Sequence, residues 1–186
     1  WVISANGALG MLHLDLLAFD AAQAHLEQAL ASARAVGSGV WTGSTAGYLA
    51  ATYAAQGEFG RAEAILNGAL ANDTPMQTQS QRLCWHARGE LALARGEAET
   101  ALHIADGLIA SAQNVTAEAV IPRLWKLRGE ALAALDQARE AETVLQAAQE
   151  LAGQPLLVDA AGGGVPFRPV HVVDGDERRF ASHCQA

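Results

Sequence analysis

The stretch WHARGELALAR runs from Trp85 to Arg95, and WKLRGEALAAL runs from Trp125 to Leu135. Both contain the pattern W-x-x-R-G-E, and the second copy follows the first by 40 positions. The residues of a catalytic site normally occur once in a chain. A pattern that recurs with a period of roughly 20–50 residues is instead typical of stacked structural repeats. The two stretches therefore predict a building block rather than an active site.

Small residues at matching positions extend this period over four units. In the second half of each unit, an alanine is followed four and seven positions later by leucine or alanine, which is the stripe of an amphipathic helix. Since helices approach closely only where side chains are small, we expect the two helices of a unit to touch at these positions, with Gly89 packing on Ala101. The aligned small residues are Gly10, Ala50, Gly89 and Gly129 on the first helices and Ala22, Ala62, Ala101 and Ala141 on the second helices.

Each unit is therefore predicted to contain two helices joined by a short turn. Gly57, Gly96 and Asp136 hold the same place in this turn, where glycine can end a helix in a left-handed conformation and aspartate tolerates the turn. The predicted helices span about 3–17, 20–36, 41–56, 59–72, 78–95, 97–113, 117–135 and 137–152. The predicted units of the repeat domain, residues 1–152, span about 1–38, 39–76, 77–116 and 117–152.

Composition agrees with closely packed helices and excludes several classes of protein. Hydrophobic residues make up 51% of the chain, and alanine, the best helix former, is the commonest residue. The net charge is −8, and Lys126 is the only lysine, so clustered positive charge for nucleic-acid binding is lacking. No apolar run reaches the roughly 18 residues of a membrane span. The two cysteines, Cys84 and Cys184, make no disulfide framework and favour a reducing, cytoplasmic setting.

The segment 153–186 has a different character, because helical periodicity stops and glycine and proline become frequent. One interpretation is a small β-hairpin, with VPFRPVHVV as strand residues and DGDE as the turn. A second is a disordered tail. A third is a shifted reading frame that truncates a fifth unit. The chain begins at Trp1 rather than at methionine, and we expect it to be part of a longer protein whose upstream repeat packs on the apolar first helix.

Few residues suggest chemistry. Cys84 and His86, with His103 on the next helix, are candidate metal ligands, but side chains two positions apart point to different faces of a helix. We expect instead a buried Cys84 and an exposed His86. The glycine-rich segment 37–47 lacks the lysine of a phosphate-binding loop. No metal site and no cofactor site is therefore predicted.

Glu90 and Glu130 are equivalent residues of neighbouring units, and so are Arg88 and Arg128. Paired carboxylates can perform acid–base catalysis. A repeated Arg-Gly-Glu is better explained by a ladder of ion pairs between helices, and we expect each arginine to contact a neighbouring acidic residue. No catalytic residue is predicted.

These patterns resemble a tetratricopeptide repeat, whose first helix carries an aromatic residue and a glycine and whose second helix carries a small-x-x-x-large-x-x-Ala pattern. The resemblance covers roughly residues 3–152, but the period is near 40 rather than 34, and Arg88 and Arg128 replace the usual leucine. The W-x-x-R-G-E variant is similar to repeats at the C-terminal end of large bacterial signalling ATPases, including nucleotide-cyclase-linked and LuxR-type transcriptional regulators. The matching residues are Trp85, Gly89, Trp125 and Gly129, and in the second unit Leu49, Tyr53, Ala62, Leu66 and Ala69.

The resemblance implies an all-α, right-handed superhelical solenoid of about four antiparallel helix pairs, with the first helices lining its concave face. In that family, groove-facing residues lie three before, one after and four after the central small residue. Arg123 lies one turn before one of these positions and joins them. The predicted partner-binding residues are Met11, His86, Glu90, Arg123, Lys126 and Glu130.

The sequence therefore predicts a non-catalytic scaffold that binds a protein or peptide, or senses a ligand, within a larger bacterial regulatory protein. Its partner could also be a neighbouring domain of the same chain. One alternative is a structural spacer in a multidomain ATPase. Another is an enzyme with a pocket between its helices, which would require a polar cluster that interrupts the repeat.

Overall fold

The computed structural model describes residues 1–112 and 121–153, which form eight α-helices and no strand. By its internal contacts the chain divides into two units, Trp1–Gln154 and Pro155–Ala186. The hairpin, disorder and frame-shift interpretations of the tail concern residues outside the described ones. The helices are α1 (Val2–Asp15), α2 (Phe19–Ala35), α3 (Gly39–Ala55), α4 (Phe59–Ala69), α5 (Gln79–Ala94), α6 (Ala98–Ser111), α7 (Ile121–Ala134) and α8 (Ala138–Gly153).

One kind of turn joins the two helices within each unit. In each turn, one residue adopts a left-handed backbone conformation, and the N–H of the next residue donates to the carbonyl five residues earlier at 2.8–3.0 Å. This bond satisfies a carbonyl that the helix end would leave unpaired. The left-handed residues are Leu17, Gly57, Gly96 and Asp136, with φ values of 58°, 78°, 80° and 60°.

The first helices of the units form a continuous layer. Helix α3 contacts both α1 and α5, and α5 also contacts α7, while each of them packs on the second helix that follows it. Within the described residues, the second helices α2, α4, α6 and α8 share no comparable contact with one another. The first helices are therefore the inner layer and the second helices the outer one. The right-handed path and the number of stacked pairs stay predictions.

The core lies between these layers and is built from leucine and alanine. All the aligned small residues are buried, and Ala22, Ala62 and Ala101 have no exposed surface. Trp85 and Trp125 are half-buried, and both pack against the cluster that contains Leu108. Two equivalent tryptophans thus fill space on the two sides of α6.

The contact at the small positions differs from the expected one. A Cβ atom at Gly89 would lie 2.7 Å from Cδ2 of Leu127 and 3.3 Å from Cγ2 of Ile104, and Ala101 is not among its nearest neighbours. A Cβ at Gly129 would lie 2.6 Å from Cγ of Leu145. Both glycines therefore make room for a large leucine side chain of an opposing helix, and only at Gly129 does a backbone atom of the aligned alanine, the Ala141 carbonyl oxygen, also lie 3.5 Å from the Cβ position.

Two helix boundaries differ from the predicted ones. Helix α4 ends at Ala69 rather than near residue 72, because Leu70 turns into an extended conformation (φ −146°, ψ 117°) that buries its side chain. The Leu70 carbonyl then accepts a hydrogen bond from Arg88 at 3.2 Å. Helix α7 begins at Ile121, and the predicted start near residue 117 falls in 113–120, outside the described residues.

Candidate partner-binding surface

Polar side chains on the four first helices interact with one another and define a surface that we call the inner face. It comprises Asp15, Tyr48, His86, Glu90, Arg123, Lys126 and Glu130, on α1, α3, α5 and α7. Five of the six residues that the sequence predicts for partner binding are among them, and the sixth, Met11, lies one helical turn before Asp15.

Two equivalent pairs sit on adjacent helices of the inner face. His86 Nδ1 lies 3.5 Å from Glu90 Oε2 on α5, and Lys126 Nζ lies 3.4 Å from Glu130 Oε1 on α7. Both pairs are spaced i, i+4, which brings their side chains together on one side of a helix. The repeat thus places a basic side chain beside a carboxylate on each of the two helices. The Lys126 side chain is 66% exposed, so it can meet a partner.

An ion pair links the first unit to the last. Arg123 Nη2, at the start of α7, lies 3.4 Å from Asp15 Oδ1, at the end of α1. The same two charges act on Tyr48 of α3: burial raises the pKa of its hydroxyl, the charge of Arg123 lowers it, and the charge of Asp15 raises it. The curvature of the inner layer therefore brings α1 and α7 together across α3 and α5.

The electrostatics of Glu90 show that the charges of α7 act on α5. Burial raises the pKa of the Glu90 carboxyl, but a hydrogen bond from His86 and the charges of His86, Lys126 and Arg123 outweigh it. The net pKa lies below the ordinary value. Glu90 is therefore an ionised carboxylate surrounded by basic groups from two helices, and the inner face is a mixed-charge surface.

Two residues of the inner face were not predicted from the sequence. The resemblance predicts Met11, and Asp15 lies one turn further along the same side of α1. Asp15 could therefore have been predicted by extending the helical period from Met11. The sequence did not indicate Tyr48. In the second unit, the positions that face the groove in the tetratricopeptide family are occupied by small residues, and Tyr48 is not one of these positions. Only the packing of α3 between α1 and α5 brings Tyr48 within the influence of the charges of Arg123 and Asp15.

Arginines outside the inner face tie each unit to the preceding one. Arg128 Nε lies 2.8 Å from Asp106 Oδ1, and its Nη2 lies 2.8 Å from Glu140 Oε1. Arg88 makes no such pair within the described residues and instead donates to Asn67 Oδ1 at 3.0 Å and Asn72 Oδ1 at 2.8 Å. The expected ion pair is present at Arg128, while Arg88 uses neutral acceptors.

One acceptor of each arginine, Asn67 for Arg88 and Asp106 for Arg128, occupies the same position of the preceding second helix. Asn67 and Asp106 both lie five residues after the aligned alanine, and so does Glu27 in the first unit. Glu27 accepts from the hydroxyl of Tyr53 at 2.6 Å and from Arg61 at 3.0 Å. This position thus receives a donor from the next unit three times, which explains why the chain keeps a polar residue there in each of the three.

The candidate metal ligands point apart. The Cys84 thiol is buried and donates to the Gly43 carbonyl at 3.1 Å, and burial raises its pKa to about 11. His86 lies on the inner face, and its side chain is only 16% exposed, with Nδ1 3.5 Å from Glu90 Oε2, so the expected exposed histidine is wrong. In residues 1–112 and 121–153, no group of three or more histidine, cysteine, aspartate or glutamate residues could hold a metal ion. Over the same residues, no helix is long and apolar enough to span a membrane.

Comparison with known proteins supports the repeat assignment in one half of the array. Residues 1–74 match the tetratricopeptide repeat family. The matched segment covers α1 to α4, whereas the two W-x-x-R-G-E copies lie beyond it. No curated protein and no solved structure matches the chain. Tetratricopeptide repeats generally mediate protein–protein interactions, and the helices outside the match reproduce the same turn and the same packing.

Proposed function

We propose that this chain is a non-catalytic scaffold that binds a segment of a protein partner on the inner face. The observation that carries the proposal is the convergence of side chains from α1, α5 and α7, through the Asp15–Arg123 ion pair and the action of Lys126 and Arg123 on Glu90. Stacked helix pairs use their concave face in this way. The match of residues 1–74 to a family that binds proteins supports the same function.

The chemistry of the face suggests the kind of partner. Arg123 and Lys126 are more than half exposed, and they stand beside the carboxylates of Glu90 and Glu130. Such alternating charges favour a polar peptide with both acidic and basic groups over an apolar helix, because complementary charges set the register of the bound segment. The pattern of charges on the inner face would then determine which partner binds.

A reversal of one pair tests this function. The double substitution Lys126→Glu with Glu130→Lys keeps an i, i+4 ion pair in the favourable Glu-to-Lys order, so the helix should stay intact. We expect affinity capture from a lysate, quantified by mass spectrometry, to lose the specific partner by about tenfold or more, since about 1.4 kcal/mol corresponds to a factor of ten.

The matched control is Arg139→Glu with Glu142→Lys, which reverses two exposed charges on the outer helix α8 of the same unit. The control should retain the partner. If the Lys126/Glu130 reversal leaves every captured protein unchanged, the inner face is not the binding surface.

A second candidate function is a rigid spacer within a multidomain ATPase. The observation that favours it is the set of arginine contacts between units, because Arg88, Arg95 and Arg128 each bind the second helix of the preceding unit. A spacer would tolerate the Lys126/Glu130 reversal, whereas a recognition scaffold would not. The wider context that we propose, a cytoplasmic bacterial regulator, rests on the resemblance of the W-x-x-R-G-E units.

A further inference from the structure

One ion pair of the inner face joins units that are not neighbours. Arg123 Nη2, on α7, lies 3.4 Å from Oδ1 of Asp15, which is the last residue of α1. Every other ion pair in residues 1–112 and 121–153 joins side chains of one unit or of adjacent units, as Arg128 does with Asp106. Helices α1 and α7 do not pack on each other as neighbouring first helices do. The Asp15–Arg123 pair therefore links the first and last units without an extensive packed interface behind it.

The positions of these two residues disfavour both of their charges. Asp15 ends α1, and Arg123 lies in the first turn of α7. A helix carries a partial negative charge at its C-terminus and a partial positive charge at its N-terminus. It therefore destabilises a carboxylate at the first place and a cation at the second. The stability of the two helices thus explains neither residue.

The pair is also too weak to lock the array in one shape. The side chains of Arg123 and Asp15 are 58% and 62% exposed, and ion pairs between exposed side chains contribute little to stability because water and salt screen them. In a stack of repeats each unit contacts only its neighbours, so small rotations between successive units add up along the array. The first and last units can therefore separate on the inner face without the loss of a packed core.

Arg123 is at the same time one of the cations that we assign to partner binding. Its charge acts on Glu90 of α5 and on Tyr48 of α3, so it contributes to the electrostatic potential of the inner face. An acidic group of a bound peptide would be attracted to this guanidinium, but it would also meet the like charge of Asp15, which repels it. Asp15 thus offers Arg123 the same chemical group as the partner does.

We propose that Asp15 is an internal competitor of the partner: it pairs with Arg123 in the free chain, holds the first and last units together, and is displaced when an acidic group of the partner binds Arg123. This inference rests on the proposed function, since it concerns access to the same surface. The apparent affinity for the partner is then reduced by the fraction of chains that are open. Because an exposed ion pair biases such an equilibrium only weakly, we expect removal of the Asp15 charge to increase partner binding by about two- to fivefold.

The distance between the first and last units tests the closed state without a partner. Spin labels are attached to Ala31→Cys on α2 and Gln146→Cys on α8, two exposed positions of outer helices, in a Cys184→Ser background. The remaining thiol, Cys84, is buried and should stay unlabelled. Pulsed electron paramagnetic resonance on this full 186-residue chain gives the distribution of distances between the labels.

Two single substitutions should open the array. Asp15→Asn and Arg123→Gln each remove one charge of the pair, and both are expected to give a longer mean distance and a wider distribution than the parent. The exchanged pair, Asp15→Arg with Arg123→Asp, should restore the parent distribution because the two charges attract again. Thermal unfolding is the control for folding, since the helix dipoles predict no loss of stability in either single variant.

The matched control is Asp73→Asn. It makes the same change at an exposed aspartate that forms no ion pair with the part of the chain that the structure describes. Its distance distribution and its partner binding should both equal those of the parent.

Partner capture gives the second measurement. It is made on the proteins that the wild type captures and the Lys126/Glu130 reversal loses. Asp15→Asn should capture about two- to fivefold more of them, whereas Arg123→Gln should capture less because it also removes the cation that binds the partner. The two variants would thus open the array alike and change binding in opposite directions.

Either of two results would overturn the inference. One is an equal distance distribution in the parent and in Asp15→Asn, and the other is equal or reduced capture by Asp15→Asn. Failure of the proposed function would look different, because no captured protein would then depend on the Lys126/Glu130 pair. That outcome would also remove the competitor role of Asp15, even in an array that opens.

Discussion

Leu17 occupies a backbone conformation that its side chain disfavours. It takes φ 58° at the turn where the next two units have Gly57 and Gly96. A left-handed conformation costs a residue with a Cβ atom roughly 1–2 kcal/mol. The side chain is 72% exposed, so it recovers little of this cost through burial.

We expect Leu17→Gly to stabilise the protein by about 1 kcal/mol, because glycine removes the steric strain and only part of the gain is lost to the greater freedom of the unfolded chain. Thermal unfolding should show a midpoint higher by about 2–4 °C. Leu17→Ala is the control, since it keeps the Cβ atom and hence the strain. A lower melting temperature for Leu17→Gly would contradict the assignment of strain to this residue.

Tyr53 gives the structure a measurable dependence on alkaline pH. Burial raises the pKa of the Tyr53 hydroxyl from 10.0 to about 12, and the hydrogen bond to Glu27 and the negative charge of Glu27 contribute to this rise. A group whose pKa is raised on folding contributes stability that is present below its unfolded pKa and is lost as the pH rises through the folded one. The free energy of unfolding should therefore fall between pH 10 and about 12.

The titration is best followed by tyrosinate absorbance in Tyr48→Phe, which leaves Tyr53 as the only tyrosine. Tyr53 should ionise near pH 12 in the folded chain and near pH 10 in denaturant. If it ionises at the same pH in both states, the hydrogen bond to Glu27 does not hold the neutral hydroxyl in solution.

At the scale of the helix, the glycines of the first helices control how large side chains fit between elements. Gly129 on α7 faces Leu145 on α8, and a Cβ there would come within 2.6 Å of the leucine Cγ. We expect Gly129→Leu to destabilise the protein by roughly 1–3 kcal/mol through overpacking, as measured by urea unfolding.

The control is Gly60→Leu, because a Cβ at Gly60 of α4 meets nothing within 4 Å. This change should be neutral or slightly favourable, since leucine is a better helix former than glycine. An unchanged stability of Gly129→Leu would mean that Leu145 can move aside and that the glycine has no packing role.

The helices themselves could be predicted from the sequence, and the contacts between them only in part. The period of the alanine and leucine stripe gave eight helices within a few residues of their observed ends, because burial of one helix side imposes a period of 3.6 residues. The same stripe could not tell which side chain fills the space above Gly89. Leu127 comes from the next unit, and that contact depends on how α5 and α7 cross.

For the whole molecule, the packing of the units brings residues of the first and the last unit together. Arg123 Nη2 lies 3.4 Å from Asp15 Oδ1, although the two residues are 108 positions apart in the chain. The charges of the inner face therefore come from units that are far apart in sequence.

The sequence by itself determined the repeated unit, its two helices, the left-handed turn residues at Gly57, Gly96 and Asp136, and the buried small positions. These features are local, since they depend on periodicity and on backbone conformations that glycine or aspartate tolerates. Only the tertiary structure decided that Asp15 meets Arg123, that both charges act on Tyr48, and that Arg88 and Arg128 bind one equivalent position of the preceding helices. Those contacts join residues from different units, and the curvature that brings them together arises from the packing of all the units rather than from any single one.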